Sequence, residues 1–278
     1  MTYVFDALRC RFGEFPEPAF LLEGLDLFCV HMECAGNDFL ITDGREMPED
    51  AVFPVRTVCD FTGADGFMVL RESEIADFRL EFYNRDGSRA DICGNGCRCI
   101  CRFAYDFGIA REGMTVQTDA GVISGWRRSA QLYEVALPAS QSLIPQILPG
   151  VDYCLLGVPH EIVAVKKLEK AALLPLAQRL RWDSTFPQGC NVDFYTWKDK
   201  NTVQVLTFER GVEDFTAACG TGCAAIAAVL HHTGQLPGGK LIAHNPGGIL
   251  QMTVDTKTGQ IWQAGETKIL GKLTIDCQ

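Results

Sequence analysis

Short runs of alternating apolar and polar residues fill much of this chain and predict β-strands. In the first half they cover residues 27–31, 39–42, 67–71, 78–83, 114–119, 122–126 and 132–137. In the second half they cover residues 153–156, 162–165, 192–197, 202–208, 241–244, 249–254, 260–263 and 269–275. Turn residues separate many of these runs, as in Asn-Arg-Asp-Gly at 84–87, which favours antiparallel pairing through hairpins.

Three longer segments are rich in helix formers and predict helices over residues 95–107, about 168–180 and 223–232. The first of these is apolar on most faces, and Gly108 behind it is a good C-cap. A helix with this pattern must be buried. Its position among many strands predicts an α+β fold in which a mostly antiparallel sheet wraps around a central helix.

One short motif occurs twice, each time directly before a predicted helix. Residues 93–100 read Cys-Gly-Asn-Gly-Cys-Arg-Cys-Ile, and residues 219–226 read Cys-Gly-Thr-Gly-Cys-Ala-Ala-Ile. The copies start 126 residues apart (219 − 93), which indicates two similar halves. Residues 138–149, with Ser, Gln and Pro, are the best candidate for a linker between the halves. We therefore predict an extension over residues 1–26, a first domain over 27–140 plus 265–278, and a second domain over 141–264.

The repeated motif places Cys93 and Cys219 at predicted helix N-termini. The unpaired N–H groups and the positive dipole end at such a position bind a carboxylate or phosphate, and they lower the pKa of a thiol. Two such ends around one pocket would present two activated thiols to one anion. This arrangement suits the removal of a proton from a carbon beside a carboxylate and the delivery of a proton to the opposite face.

Other interpretations of the motif are weaker. The cysteines at 93, 97, 99 and 101 are dense, but they lack a C-x₂-C pair and a nearby His, so we predict no metal site. Neither copy ends in the Gly-Lys-Ser/Thr of a phosphate-binding P-loop. A purely structural role suits Cys97, Cys99, Cys101 and Cys223, because free cysteine behaves as a small buried hydrophobe.

Composition limits the classes of partner and compartment. The 278 residues carry a net charge of −10, which argues against a nucleic-acid or anionic-membrane surface. Thirteen cysteines, an odd number without the spacing of a secreted domain, favour a reducing compartment over a disulfide scaffold. The first residues are interrupted by charges before any long apolar run, so we predict neither a signal peptide nor a membrane span. We expect a cytoplasmic protein.

The two cysteine motifs resemble the active-site signatures of the diaminopimelate epimerase family. The resemblance extends in order along the chain through Gly-Asn-Asp-Phe at 36–39, Gly-Ala-Asp-Gly at 63–66, Asn-Arg-Asp-Gly-Ser at 84–88 and Thr-Asp-Ala-Gly at 118–121. It continues through Pro-His at 159–160, Asn-Val-Asp-Phe at 191–194 and Glu-Arg-Gly at 209–211. An ordered set of this kind is much more specific than any single motif.

The resemblance implies two pseudo-symmetric domains with the active site in the cleft between them, and an isomerase that epimerises an amino acid without a cofactor. We find no lysine in a setting typical of a pyridoxal phosphate Schiff base. The substrate would be a small amino acid, LL- or meso-diaminopimelate, in lysine and peptidoglycan precursor synthesis. Neither nucleic acid nor membrane is expected as a partner, and a homodimer is left open.

By the same resemblance, Cys93 and Cys219 would exchange the roles of base and acid, with His160 and Glu209 as their proton partners. The residues expected to bind substrate are Asn37, Asn84, Gly94, Asn95, Asn191, Glu209, Arg210, Gly220 and Thr221.

The chain also departs from the family pattern. Gly66 stands where a Gln is common, and Val158 stands where an Asn is common. Each departure removes a polar side chain, and one lost hydrogen bond costs on the order of 1 kcal/mol. Two alternatives therefore stay open: a related racemase for another amino acid, such as histidine, or one with a relaxed substrate range, and a non-catalytic amino-acid-binding or zinc-binding module. The intact pair of cysteines argues against the last.

Overall fold

A computed structural model describes residues 26–49, 51, 53–137 and 139–276. The predicted extension over residues 1–26 therefore lies outside the described residues, except for Asp26, which begins the first strand. The described residues divide into two compact units, those up to 131 together with those from 267 onward, and those from 132 to 266. The predicted domains change at 140/141 and 264/265, and these bounds stay a prediction.

The first unit begins and ends with strands that pair with each other. Its elements in chain order are β1 (Asp26–Cys34), β2 (Asn37–Asp43), α1 (Val55–Thr62), β3 (Gly66–Arg71), β4 (Phe78–Asn84), β5 (Arg89–Ala90), α2 (Gly94–Asp106), β6 (Gly113–Thr118) and β7 (Gly121–Arg127). The last residues of the final strand, 267–276, pair antiparallel with β1.

The second unit has a longer series of strands. Its elements are β8 (Leu132–Ala136), β9 (Ser142–Leu148), β10 (Val151–Leu156), β11 (Val158–Ala164), α3 (Lys170–Arg181), β12 (Asn191–Asp199), β13 (Thr202–Glu209), β14 (Asp214–Phe215), α4 (Gly220–His232), β15 (Lys240–Asn245), β16 (Gly248–Val254) and the first part of β17 (Ile261–Asp276). Residues 261–266 of β17 pair antiparallel with β16 and with β8.

Both units contain the same order of strand pairings. In the first, β1–β2, β3–β4, β4–β5 and β6–β7 are antiparallel, whereas β2–β3 and β4–β6 are parallel. In the second, β10–β11, β12–β13, β13–β14 and β15–β16 are antiparallel, whereas β11–β12 and β13–β15 are parallel. The prediction of two similar, mostly antiparallel sheets is confirmed, and it explains why the cysteine motif occurs twice.

The two helices that follow the motif lie against the sheets of their own units. α2 packs against β1, β2, β3 and β7, and α4 packs against β9, β10, β11, β12, β15 and β16. Most residues from Asn95 to Ala104 in α2 and from Gly222 to Leu230 in α4 are buried. Each sheet therefore covers a central helix, as the apolar pattern predicts.

Two local expectations need correction. The predicted linker over residues 138–149 contains β9, which pairs antiparallel with β10. α1 was not predicted, because it spans only eight residues, although its buried residues Val55, Val58 and Cys59 have helical spacing. It begins after Pro54 and ends at Gly63, whose φ of +82° is a left-handed conformation that glycine adopts without strain. None of the helices in the described part of the chain is long and apolar enough to cross a membrane.

Candidate active site

Cys93 is the N-cap residue of α2, as the sequence predicts. Its backbone is extended, with φ −138° and ψ 116°, and its carbonyl accepts a 2.7 Å hydrogen bond from the N–H of Cys97. The Cys93 residue is half-buried. Gly94 and Asn95 follow in the first turn, whose N–H groups have no acceptor within the helix. This turn can therefore bind an anionic group of a ligand.

Cys219 has the same position in the second unit, at the N-cap of α4. Its backbone is again extended, with φ −117° and ψ 112°. The thiol accepts a hydrogen bond from the N–H of Gly222 at 3.4 Å, and its Sγ lies 3.5 Å from the hydroxyl oxygen of Thr221. Both cysteines of the repeated motif thus begin a helix, which confirms the local prediction.

The expectation that the helix end lowers the thiol pKa is wrong for Cys219. Burial raises this pKa well above its ordinary value, and the carboxyl groups of Glu209 and Asp193 raise it further. The Thr221 hydroxyl and the Gly222 N–H act in the opposite direction but do not compensate. Desolvation destabilises the thiolate more strongly than these two donors stabilise it. Cys219 is consequently a neutral thiol at neutral pH and is suited to donate a proton.

His160 belongs to a fully buried pair that sequence reasoning did not find. Its Nδ1 lies 2.7 Å from Oδ2 of Asp193, and both side chains are wholly inaccessible to solvent. The other carboxylate oxygen, Oδ1, accepts a 2.7 Å hydrogen bond from the Thr207 hydroxyl. Nε2 of His160 is buried and has no hydrogen-bond partner in the structure. No other group of the described residues therefore engages the lone pair or proton at Nε2.

Glu209 belongs to the same cluster of ionisable groups. Burial raises the pKa of its carboxyl group, and the Thr216 hydroxyl lowers it to a smaller extent. Asp193 raises this pKa further, and His160 lowers it. The second unit therefore brings together His160, Glu209 and Cys219, three residues that the sequence singles out, around the unpredicted Asp193.

Asn191 and Arg210 also meet within the second unit. Oδ1 of Asn191, a buried residue, accepts a 2.8 Å hydrogen bond from the backbone N–H of Arg210. The guanidinium group of Arg210 donates to the carbonyl oxygen of Gln188 over 3.4 Å. This long and partly exposed contact leaves most of the guanidinium donors for a carboxylate ligand.

The first unit connects Asn37 with Asn95. The Asn95 carboxamide donates to Oδ1 of Asn37 over 2.8 Å, and the Asn37 carboxamide donates to Oδ2 of Asp65 over 3.1 Å. Nη2 of Arg98, in the next turn of α2, donates to Oδ1 of Asn95. Asn37 and Asn95 were predicted from separate motifs, and the structure places their side chains in one hydrogen-bonded chain.

Arg98 is fully buried beside Cys34, and neither residue was predicted to matter. Nε and Nη2 of the guanidinium group lie 3.2 and 3.1 Å from Sγ of Cys34. A hydrogen bond from Cys99 and the charge of Arg98 lower the pKa of Cys34 to about 6, although its burial acts in the opposite direction. Arg98 stands where the second copy of the motif has Ala224. An arginine in a helix that was predicted to be buried is the sequence feature that could have indicated this contact.

Asn84 takes part in a different contact. Its carboxamide donates to the hydroxyl oxygen of Ser88 over 3.0 Å and so closes the predicted hairpin turn between β4 and β5. Gly66 pairs with Asn84 across β3 and β4. A Cβ atom at Gly66 would lie 2.8 Å from both the Phe82 ring and the Tyr83 carbonyl oxygen. The family's Gln therefore does not fit here without a shift of the backbone.

No group of three or more His, Cys, Asp or Glu side chains is arranged to hold a metal ion within the part of the chain that the structure describes.

Comparison with known sequences identifies a family. The sequence model of the family described as "Diaminopimelate epimerase" matches residues 29–132 and 153–270. The diaminopimelate epimerase of Aquifex aeolicus is 36% identical over 230 residues, which are 73% of this chain and 81% of that protein. The diaminopimelate epimerase of Archaeoglobus fulgidus is 34% identical over 248 residues, covering 80% and 88% of the two chains.

Solved structures share the fold at low sequence identity. A phenazine biosynthesis protein of the PhzF family from Bacillus anthracis has a TM-score of 0.65 at 15% identity and covers 90% of this chain and 99% of its own. A hydroxyproline epimerase from Agrobacterium vitis has a TM-score of 0.63 at 16% identity, with coverages of 90% and 91%. At these identities the likeness establishes the fold alone.

Proposed function

The chain belongs to the diaminopimelate epimerase family, and we propose that it interconverts LL- and meso-diaminopimelate as an isomerase of lysine and peptidoglycan precursor biosynthesis. One observation carries this function. Each copy of the Cys-Gly-x-Gly motif puts a cysteine at the N-cap of a buried helix, in a chain that matches the family over most of its length. These cysteines are the residues that two-base proton chemistry requires.

The difficulty of the reaction lies in the charge of its intermediate. An α-hydrogen is a very weak acid, because its removal places carbanion charge beside a carboxylate that is already negative. The N–H groups of the first turns, at Gly94, Asn95, Gly220 and Thr221, are donors that would hold this charge. Preorganised donors of this kind contribute roughly 3–4 kcal/mol each to a transition state. In this mechanism they take the place of a pyridoxal phosphate cofactor.

The two thiols would divide the proton transfer between them. As thiolate, Cys93 takes the proton from Cα, so a C–H bond breaks and an S–H bond forms. Cys219 then delivers its own proton to the opposite face of the carbanion and is left as thiolate. The raised pKa of Cys219 supports its role as the acid in this direction. In the reverse direction the roles exchange, and His160 and Glu209 would restore the protonation of the thiols.

Polar side chains would recognise the rest of the substrate. The guanidinium group of Arg210 is a partner for a carboxylate, and the Glu209 carboxylate is a partner for an ammonium group. Asn37, Asn95 and Asn191 are buried or half-buried amides with positions that hydrogen bonds fix. Asn84 would contribute from its hairpin turn. A fixed set of such groups suits a ligand with charges at both ends.

A second function keeps the mechanism and changes the substrate. Gly66 has no room for a side chain, and Val158 is an apolar residue at the start of β11, two positions before His160. Two polar groups that the family commonly has are therefore absent. A site that binds another amino acid, such as histidine, would tolerate these losses better than one that must hold both ends of diaminopimelate.

Deuterium exchange at Cα distinguishes these functions. The protein would be incubated in D₂O with LL-diaminopimelate, meso-diaminopimelate, L-histidine and a panel of other amino acids. Deuterium uptake would be followed by mass spectrometry and product configuration by chiral chromatography. We expect the fastest exchange with the diaminopimelate isomers. Faster exchange with another amino acid would favour the second function, and no exchange with any of them would refute both.

We further propose that the protein works in the cytoplasm on this small-molecule substrate, without nucleic acid or membrane as partner, and as a monomer or homodimer. Its net charge of −10 and its many cysteines support this assignment. Fractionation of the cells that produce it, and light scattering of the purified protein, would test the compartment and the oligomeric state.

A further inference from the structure

We propose that Asp193 is a positioning residue that holds the imidazole proton of His160 on Nδ1 and so leaves Nε2 as an unprotonated base. This inference rests on the proposed function, because it gives His160 a defined task in proton transfer. The sequence motif Asn-Val-Asp-Phe at 191–194 carries Asp193 without revealing the task.

The hydrogen bonds of the pair determine the tautomer. An ionised carboxylate can only accept hydrogen bonds, so the 2.7 Å contact between Oδ2 of Asp193 and Nδ1 of His160 requires the proton on Nδ1. In a neutral imidazole the other nitrogen then carries a lone pair. Nε2 is buried and has no hydrogen-bond partner among the described residues, so nothing competes for this lone pair.

The strands around Asp193 fix the direction of its carboxylate. His160 is on β11 and Asp193 is on the parallel neighbour β12, where Asp193 pairs with Ile162, two residues beyond His160. Residues two apart on a strand face the same side of a sheet. On the other neighbour, β13, Thr207 pairs directly with Asp193, and its hydroxyl donates 2.7 Å to Oδ1. Both carboxylate oxygens are thereby occupied, so the side chain cannot rotate without loss of a buried hydrogen bond.

Helix α4 closes the remaining side. A Cβ atom added at Gly222 would lie 2.1 Å from Oδ1 of Asp193, so the first turn of the helix packs directly on the carboxylate. Since Cys219 is the N-cap of the same helix, one carboxylate orients His160 and also lies beneath the turn that carries the thiol.

The tautomer can be measured directly. Long-range ¹H–¹⁵N NMR correlation of the ¹⁵N-histidine-labelled protein, without substrate, would identify the protonated nitrogen of His160. The His160→Gln variant would assign the signal among the five histidines of the chain. We expect a proton on Nδ1 and none on Nε2 at neutral pH. A proton on Nε2, or on both nitrogens, would overturn the proposal. This measurement is independent of which amino acid the protein acts on.

Kinetics of two variants give the second test. Asp193→Asn keeps the shape of the side chain but removes the charge that fixes the imidazole. We expect kcat to fall by about 10²- to 10⁴-fold, as for the loss of an orienting carboxylate elsewhere, with KM within about threefold. Thr207→Val is the matched control, because it removes a hydrogen bond to the same carboxylate but leaves the Asp193–His160 contact. Circular dichroism would check that both variants are folded. The positioning role would be refuted if kcat fell no further in Asp193→Asn than in Thr207→Val. If Asp193→Asn does not fold, the tautomer of the unaltered protein decides alone.

Discussion

The carboxamide of Asn95 donates a 2.8 Å hydrogen bond to Oδ1 of Asn37, 58 residues earlier in the chain. This contact connects the first turn of α2 with the start of β2. Through this hydrogen bond, each amide sets the direction of the other, and both amides are proposed to bind substrate. We therefore expect the two residues to act as a unit.

A double-mutant cycle tests this coupling. Asn37→Ala and Asn95→Ala should each lower kcat/KM, and each leaves a polar partner without its hydrogen bond, which costs about 1–3 kcal/mol. The double variant should lose less than the sum of the two, with a coupling energy of at least about 0.5 kcal/mol. The control is a second cycle that combines Asn37→Ala with Asn84→Ala. The Asn84 side chain bonds to Ser88 and not to Asn37, so the effects in this cycle should be additive. Additive effects in the Asn37–Asn95 cycle would contradict the expected coupling.

Cys93→Ala and Cys219→Ala should each nearly abolish epimerisation, because in the proposed mechanism each thiol serves one face of the same carbon. General acid–base catalysis typically contributes 10²- to 10⁴-fold, so we expect losses of about 10³-fold or more. Cys97→Ala and Cys223→Ala are matched controls, because these cysteines lie four residues further along the same helices and are fully buried. The controls should retain activity within about tenfold. Near-normal turnover in either of the first two variants would rule out the two-base mechanism.

Gly222→Ala should disturb both stability and activity. The added Cβ would lie 2.1 Å from Oδ1 of Asp193, whose two oxygens are already bound to Thr207 and His160. Overpacking of this kind costs about 1–3 kcal/mol. Gly238→Ala is the control, since a Cβ there would meet nothing within 4 Å. Urea unfolding and steady-state kinetics would measure both effects, and equal stability of the two variants would show that the helix turn has room.

Cys34→Ser should lose stability relative to the natural protein as the pH rises. The pKa of Cys34 is lowered from 9.0 to about 6 in the folded state, so its thiolate stabilises the fold fully above pH 9 and ceases to do so below pH 6. The stability difference should grow between pH 6 and 9 by up to about 1.4 kcal/mol per pH unit. Burial raises the pKa of Cys59 to about 11, so the control Cys59→Ser should show a constant difference over this range. Urea unfolding at several pH values would detect the slope, and its absence in Cys34→Ser would contradict a buried thiolate.

Glu161→Gln should gain stability relative to the natural protein as the pH rises, the opposite of Cys34→Ser. The Glu161 carboxyl group is fully buried and has no hydrogen-bond partner among the described residues, and burial, with Asp183 and Asp193, raises its pKa to about 8. The protonated form is the stable one in the fold, so the natural protein loses stability as the pH rises from about 4.5 to 8. Glu161→Gln should escape this loss, up to about 1.4 kcal/mol per pH unit. Thermal unfolding from pH 5 to 8 would measure it, with exposed Glu74→Gln as the control for removal of one charge. Parallel stability curves for Glu161→Gln and the natural protein would exclude the effect.

Local sequence signals determined the elements of the fold and the position of both cysteines. Glycines and helix formers around positions 93 and 219 specify a turn followed by a helix, and these signals act over a few residues. Alternation of apolar and polar residues placed most strands, because the side chains of a strand face two sides in turn. The repeat of the cysteine motif likewise predicted two similar units. Short elements such as α1 and β9 were not predicted, because seven or eight residues give too few positions to establish a period.

Tertiary structure alone decided which polar side chains meet and what protonation states they have. Asp193 lies 33 residues from His160, and Arg98 lies 64 residues from Cys34, so no local pattern could pair them. Burial then reversed the expectation for Cys219, whose position at a helix N-terminus predicts a lowered pKa. The free energy of an ionised group depends on the solvent and charges that the whole fold places around it, and these are set only when distant segments of the chain pack together.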